Sequence, residues 1–115
     1  MPDGAPGRVR RADEVRAILA KDAVERDRAN KTPFAEVQLL KDAGLVTLLG
    51  PTEFGGGGQN WTTAFKVIRT VARGDGSIGQ LLGYHYLWAW AARLVGTDGQ
   101  IPVVEELYTT NNLFF

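Results

Sequence analysis

Cysteine is absent and histidine occurs once, at His85. Without thiols there is neither a disulfide framework nor a thiolate metal site, and one imidazole is too few for a histidine-based zinc site. No metal ligation is expected. Serine also occurs once, at Ser77, so no nucleophile–base pair stands out. Glu105 and Glu106 are adjacent, and on a helix they diverge by about 100°, which prevents them from acting as a facing pair. Neither sign of charge is in excess, with 13 Lys and Arg against 13 Asp and Glu. That balance removes the electrostatic argument for a nucleic-acid or anionic-membrane partner. The opening MPDGAPGRVRR carries no apolar core of the secretory kind. Long hydrophobic runs are missing too. The uncharged apolar run Leu81–Ala92 is closed off by Gln80 and Arg93, well short of the roughly 20 residues that a membrane span needs. At 115 residues, the expectation is one cytoplasmic, soluble domain with a real core.

What is present centres on Asp75–Gly96, DGSIGQLLGYHYLWAWAARLVG. Ile78, Leu81, Leu82, Trp88, Ala89 and Ala92 share a broad face at i, i+3, i+4 spacing, and Tyr84, Leu87, Ala91, Leu94 and Val95 cover much of the remainder. A helix apolar on nearly every side is expected to be buried among partners. The segment therefore reads as the central helix of an all-α domain, with His85 between Tyr84 and Tyr86 at its middle.

The other elements follow from punctuation and periodicity. Met1–Gly7, with two prolines and two glycines, reads as part of a disordered lead-in extending over residues 1–9. Arg10–Asn30 is an amphipathic helix with Val15, Ile18, Leu19 and Val24 on one face. A second helix spans Pro33–Ala43, capped by Thr32, with Phe34, Val37, Leu40 and Leu39 facing inward and Gly44 at the C-terminal glycine position. Leu45–Leu49 reads as short and extended. A third helix, Asn60–Arg73, is capped by Asn60 and turns Trp61, Phe65, Ile68 and Val71 or Ala72 inward. Thr97 and Asp98 open a last helix, Asp98–Thr110, weakened by Gly99 and Pro102, with Val103, Leu107 and Val104 packing inward. The terminal Leu113–Phe115 resembles the start of a strand.

Two glycine motifs invite a phosphate-binding reading. PTEFGGGG (Pro51–Gly58) has no Lys-Ser/Thr after its glycines and is not a P-loop; a close-packed crossing between helices is favoured. Gly74, Gly76 and Gly79 satisfy G-x-G-x-x-G but follow a helix rather than a strand, so they read as a helix–helix corner.

The succession of marks is more specific than any one of them. Gly44-Leu45, Pro51 with Glu53-Phe54-Gly55-Gly56, Ala72-Arg73 with Asp75-Gly76-Ser77, and Gly96-Thr97 with Gln100 occur in an order that resembles the N-terminal helical domain of the acyl-CoA dehydrogenase superfamily, over about residues 10–115. The run LLGYHYLWAW is similar to the flavin-dependent monooxygenase branch, of the dibenzothiophene monooxygenase kind. The resemblance implies an all-α bundle of about five helices over residues 10–112. Residues 113–115 would begin a β-domain, and that domain and a C-terminal bundle would be absent from this chain, making it an N-terminal fragment inactive alone. It implies a parent enzyme that takes reduced FMN from a flavin reductase, oxygenates a small aromatic or organosulfur substrate through a flavin hydroperoxide, and assembles as a homotetramer. FAD-dependent acyl-CoA dehydrogenation is the alternative, and a non-catalytic helical interaction domain is the rival of another class. The flavin contacts would lie mostly outside this chain. On the central helix, Gly83, Tyr84, Leu87 and Trp88 would line the substrate cavity, and His85 would be the catalytic candidate, a neutral imidazole hydrogen-bonding the oxygenated flavin. The competing reading of His85 is a buried histidine bonded to a backbone carbonyl, and that of Trp88 is core packing.

Overall fold

The computed structural model describes residues 4–115, so Met1–Asp3 of the expected lead-in lie outside the described residues. Among the described residues the fold is all-α, with seven helices and no strand: α1 Gly4–Ala20, α2 Ala23–Ala29, α3 Phe34–Asp42, α4 Trp61–Gly74, α5 Gly76–Ala89, α6 Ala91–Val95 and α7 Gln100–Thr110. A 3-10 turn, Thr52–Phe54, interrupts the connection between α3 and α4. None of the helices is long and apolar enough to cross a membrane.

The core forms where α1, α4 and α5 stack. Ala12, Val15 and Leu19 of α1 meet Ala64, Val67 and Val71 of α4, and Ile78, Leu82 and Tyr86 of α5 close the other side together with Leu40, Leu45, Val46 and Leu48. Glycine sets the spacing at two crossings. A Cβ at Gly74 would stand 2.5 Å from the Arg16 carbonyl oxygen, and one at Gly79 would stand 2.5 Å from the Ala72 Cβ. In Gly74→Ala the gain in helix propensity is about 1 kcal/mol. The obstruction is backbone that cannot swing aside, which typically costs about 1–3 kcal/mol. A lowered urea midpoint with an unchanged slope is the expected result.

Local punctuation explains most element ends. Asn60 Oδ1 accepts from the Thr63 N–H at 3.1 Å, and Asp75 Oδ1 accepts from the N–H groups of Ser77 and Ile78. After α3, Gly44 adopts φ +73°. The Gly44 N–H donates to Lys41 and the Leu45 N–H to Leu40, the paired bonds of a glycine-terminated helix. At the start of α7, Thr97 and Gln100 bond reciprocally, side chain to backbone N–H, and Pro102 falls in the first turn, where a missing N–H costs little.

Several expectations need correction. The lead-in is helical from Gly4, because Pro6 sits in a first turn and Arg8 donates to the Gly44 carbonyl at 3.2 Å. The single helix Arg10–Asn30 is two helices broken at Lys21–Asp22, and the Arg26 guanidinium folds back onto the Leu19 carbonyl at 2.7 Å. Thr32 makes no side-chain cap; α3 begins after Pro33. Leu45–Leu49 is a chain of buried turns rather than an extended segment. The central helix ends at Ala89, and Trp90 separates it from α6.

Facing is the largest difference. Ile18, Val24, Phe34, Phe65, Val103 and Leu107, all expected inward, are exposed. On α7 the buried residues are instead Glu105, Tyr108 and Thr109. Glu105 receives a two-pronged bond from Arg93, at 2.6 and 2.9 Å, and the Arg93 guanidinium lies 5.1 Å over the Trp90 ring. A charge-assisted fork on a nearly buried carboxylate outweighs the orientation that periodicity alone favours.

Candidate functional site

The buried face of α5 carries Ile78, Gly79, Leu82, His85, Tyr86 and Ala89. At about 100° per residue these positions occupy one side of the helix. The opposite side carries Gln80, Tyr84, Leu87 and Trp88, all exposed. So α5 is amphipathic in burial while being apolar on both faces, and the expectation of a helix surrounded by partners holds for only half of it. Tyr84 is 54 %, Leu87 44 % and Trp88 59 % exposed, an aromatic wall turned away from the core.

Three of the four substrate-lining candidates come together. Gly83, Tyr84 and Leu87 share a shallow groove of about 470 Å³ with Ile68, Ala72, Gly76, Gly79 and Gln80. The groove exists because α4 and α5 approach closely at Gly79 and because Gly83 has no side chain to fill it. Trp88 extends the same outward face one turn further.

His85 is elsewhere. It is fully buried, on the inward side, and does not meet the Tyr84–Leu87 groove. Its Nε2 lies 2.6 Å from the Val46 carbonyl oxygen, and its Nδ1 accepts from the Phe115 N–H at 3.1 Å. The rings of Phe114 and Phe115 lie nearly parallel to the imidazole, at 4.8 and 5.8 Å. Burial holds its pKa below the ordinary value; the bond to Val46 opposes that shift and the charge of Lys41 adds to it. The ring is therefore neutral near pH 7, in keeping with an ordinary histidine pKa of about 6.5 before the shift. Next to it, Tyr86 donates to the Leu45 carbonyl at 2.7 Å, and complete burial pushes its phenol well above the usual range. Tyr84 and Tyr86 thus point to opposite sides of α5, as their separation of about 200° requires.

Sequence reasoning missed a second groove and a charged junction. A groove of about 510 Å³ opens between α3, Leu81 and Phe114, with Phe34, Val37 and Lys41 on its walls. Nothing in periodicity signalled it, because Phe114 belongs to a segment expected to be a strand start. The junction joins Arg26 to Asp75 at 2.8 Å and to Asp22 at 2.8 Å, beside a smaller polar pocket reached by Asn30, Lys31 and Gln80. Its only sequence signal was the pair of acidic residues flanking helix starts.

The glycine loop has no phosphate cradle to offer. The N–H groups of Gly56, Gly57, Gly58 and Gln59 are already spent on the carbonyls of Pro51, Thr47, Gly50 and Leu48. A Cβ at Gly56 or Gly57 would collide with the backbone of Gly50 or Leu48. Close packing is what these glycines serve.

Comparison with known proteins gives a consistent picture. Residues 10–102 match the family described as acyl-CoA dehydrogenase, N-terminal domain. Dibenzothiophene monooxygenase of Rhodococcus erythropolis is 47 % identical over 87 residues, 76 % of this chain and 20 % of that protein. A probable FMNH2-dependent monooxygenase, SfnC, of Pseudomonas putida is 42 % identical over 89 residues, 77 % of this chain and 22 % of that one. The structure of TdsC from Paenibacillus sp. A11-2 with FMN and indole superimposes with a TM-score of 0.84 at 31 % identity, covering 93 % of this chain and 27 % of that one. The chain spans about a fifth of the length of the curated relatives it matches.

Proposed function

Because the chain belongs to the acyl-CoA dehydrogenase family, as its N-terminal domain, we propose that it is the helical domain of a reduced-flavin monooxygenase acting on a small aromatic or organosulfur compound. The observation that carries this reading is the outward aromatic wall of α5, Tyr84, Leu87 and Trp88 beside Gly83, in a chain so similar to monooxygenases of that type. A flat apolar wall with a glycine gap fits one face of a planar ring. Aromatic surfaces hold such rings by stacking and area burial.

The same wall tests the fit of a flavin. Its carbon surface suits a ring system, while its polar groups, the Tyr84 hydroxyl and the Trp88 indole N–H, offer no counter-charge to a phosphate. In the proposal, residues 83–88 bound one side of the shared flavin and substrate space, and the phosphate is held elsewhere. Reduced flavin, when bound, supplies the electrons that activate dioxygen. This chain's residues orient the substrate ring and keep water from that side. His85 enters the chemistry only if one of its two backbone bonds opens, because both ring nitrogens are engaged. The proposal further includes a flavin reductase that delivers reduced FMN, a homotetramer, and a cytoplasmic setting.

The test is oxygen-dependent product formation from dibenzothiophene or indole by the protein carrying this domain, with reduced FMN from a reductase. Trp88→Ala and Leu87→Ala are expected to raise the KM for the aromatic substrate about tenfold, the effect of losing ~1.4 kcal/mol of contact, with stability unchanged. No product, but reduction of bound FAD by an acyl-CoA, would replace this reading with dehydrogenation. Neither reaction, with capture of a protein partner at the α5 wall in defined stoichiometry, would replace it with an interaction domain.

A further inference from the structure

The His85 imidazole makes two bonds whose polarity is fixed by the groups it meets. The Val46 carbonyl can only accept, so Nε2 carries the proton and donates. The Phe115 amide can only donate, so Nδ1 must be bare. One tautomer of the neutral ring satisfies both, and the cation satisfies only the first. A proton on Nδ1 would set N–H against N–H at a distance of 3.1 Å. We infer that His85 is a positioning residue, a proton-sensitive latch that fastens Phe114 and Phe115 to α5 in its neutral form and releases them when it is protonated.

Other contacts make the latch consequential. Phe114 and Phe115 both lie along the ring, and the Leu113 N–H is tied to the Tyr108 carbonyl. Release therefore frees the two aromatic residues while the chain stays anchored at Leu113. Phe114 is also a wall of the groove beside α3, so the latch decides whether that groove has its inner side. The phenyl faces favour a cation to a degree, but they cannot turn the Phe115 amide into an acceptor. The titratable groups around the ring are few. Lys41 approaches from α3 and opposes protonation. Tyr86 lies on the same helix, and Tyr108 of α7 adjoins Phe115; both phenols are neutral well above the range in question.

The sign follows from linkage. Burial depresses the folded-state pKa of His85 below its unfolded value. The latch is fully present above about pH 6.5, the ordinary histidine value, and is lost as pH falls through the depressed one. This inference stands independently of the proposed activity, and its test uses only the chain itself. Side-chain nitrogen chemical shifts of the 15N-labelled chain report the tautomer, and amide exchange of Phe115 reports the latch. The expected result is the Nε2–H tautomer at pH 7.5. Phe115 protection, corrected for intrinsic exchange, should fall by up to about tenfold for each unit of pH between the released-state value of about 6.5 and the depressed latched-state one, then level off, while Leu82 and Tyr86 amides stay protected. In His85→Gln the amide can donate to Val46 and accept from Phe115 without titrating, so protection should persist and its pH dependence vanish. An Nδ1–H tautomer, or titration of His85 with Phe115 protection unchanged, would overturn the latch even if the glutamine variant failed to fold.

Discussion

Asp75→Ala is expected to destabilise the fold by about 3 kcal/mol, a large share of what a domain of this size holds in reserve. The residue performs two tasks with two oxygens. Oδ1 accepts from the first N–H groups of α5, a cap whose removal costs about 1 kcal/mol. Oδ2 takes the Arg26 guanidinium at 2.8 Å, and the two side chains are 10 % and 14 % exposed. Removing one member of a mostly buried pair leaves the other charge without solvent or partner, typically a loss of 3–5 kcal/mol. Here Arg26 keeps Asp22 at 2.8 Å and the Leu19 carbonyl, which holds the total near the lower end. Burial opposes the charge on Arg26, yet its bonds to Asp75 and Asp22 raise its pKa overall, and the guanidinium stays charged in the variant rather than neutralising. Asp75→Asn retains a capping oxygen and loses the charge, and should cost about half as much. A urea denaturation series that placed alanine and asparagine together would show that the cap contributes nothing and that the ion pair carries the whole loss. A double-mutant cycle with Arg26→Ala should return a coupling of about 1–3 kcal/mol.

The functional weight of that junction is positional. Arg26 links the end of α1 to the start of α5, and α5 is the helix that carries both the outward aromatic wall and His85. Loosening the junction would let α5 pivot about the Gly79–Ala72 contact. Under the proposed function, the corresponding expectation for the protein carrying this domain is a drop in aromatic-substrate affinity without any change at the wall itself.

How much of this was legible in the sequence depends on what each feature rests on. Caps and stops were readable, because Asn60, Asp75, Gly44 and Thr97 act through their own neighbours. The family was readable through ordered glycine, proline and acidic marks, and residues 10–102 match it. Facing was much less so. Hydrophobic periodicity reports apolar surface, and it cannot say which apolar surface is turned to this domain's core. Phe65 is an instance: it is 61 % exposed, while Thr63 and Ala64 beside it are buried, because α4 needs small residues where it crosses α1. Long-range polar contacts were also invisible. The Arg26–Asp75 bond spans 49 positions and the His85–Val46 bond spans 39; a buried His85 bonded to a backbone carbonyl was one of its two readings and is what the structure shows, but which carbonyl, like the partner of Arg26, was not legible. At the candidate site, Gly83, Tyr84 and Leu87 were grouped from resemblance and do share a groove. The burial of His85 away from that groove followed only from its helical angle relative to Tyr84.

Tyr86→Ala should be the most damaging single change, at about 4–5 kcal/mol, since it removes a large, fully buried aromatic ring from the centre of the core. Tyr86→Phe separates the ring from the hydroxyl. It keeps the packing and leaves the Leu45 carbonyl without its 2.7 Å donor, a loss of about 1–2 kcal/mol. That carbonyl has a particular standing. Leu45–Leu49 is buried backbone outside any helix, where each peptide group needs a partner. Tyr86 and His85, consecutive on α5, supply partners to Leu45 and Val46, consecutive on the turn. The pair substitutes for the neighbouring strand that an extended segment would have required. The two variants therefore make different predictions about function. Tyr86→Phe should leave the turn loosely held and His85 with its Val46 bond as the remaining tie, so His85 titration should shift while folding is retained. If Tyr86→Phe matched wild type in both stability and His85 titration, the turn would be held by apolar burial alone, and the doublet would have no role in placing α5.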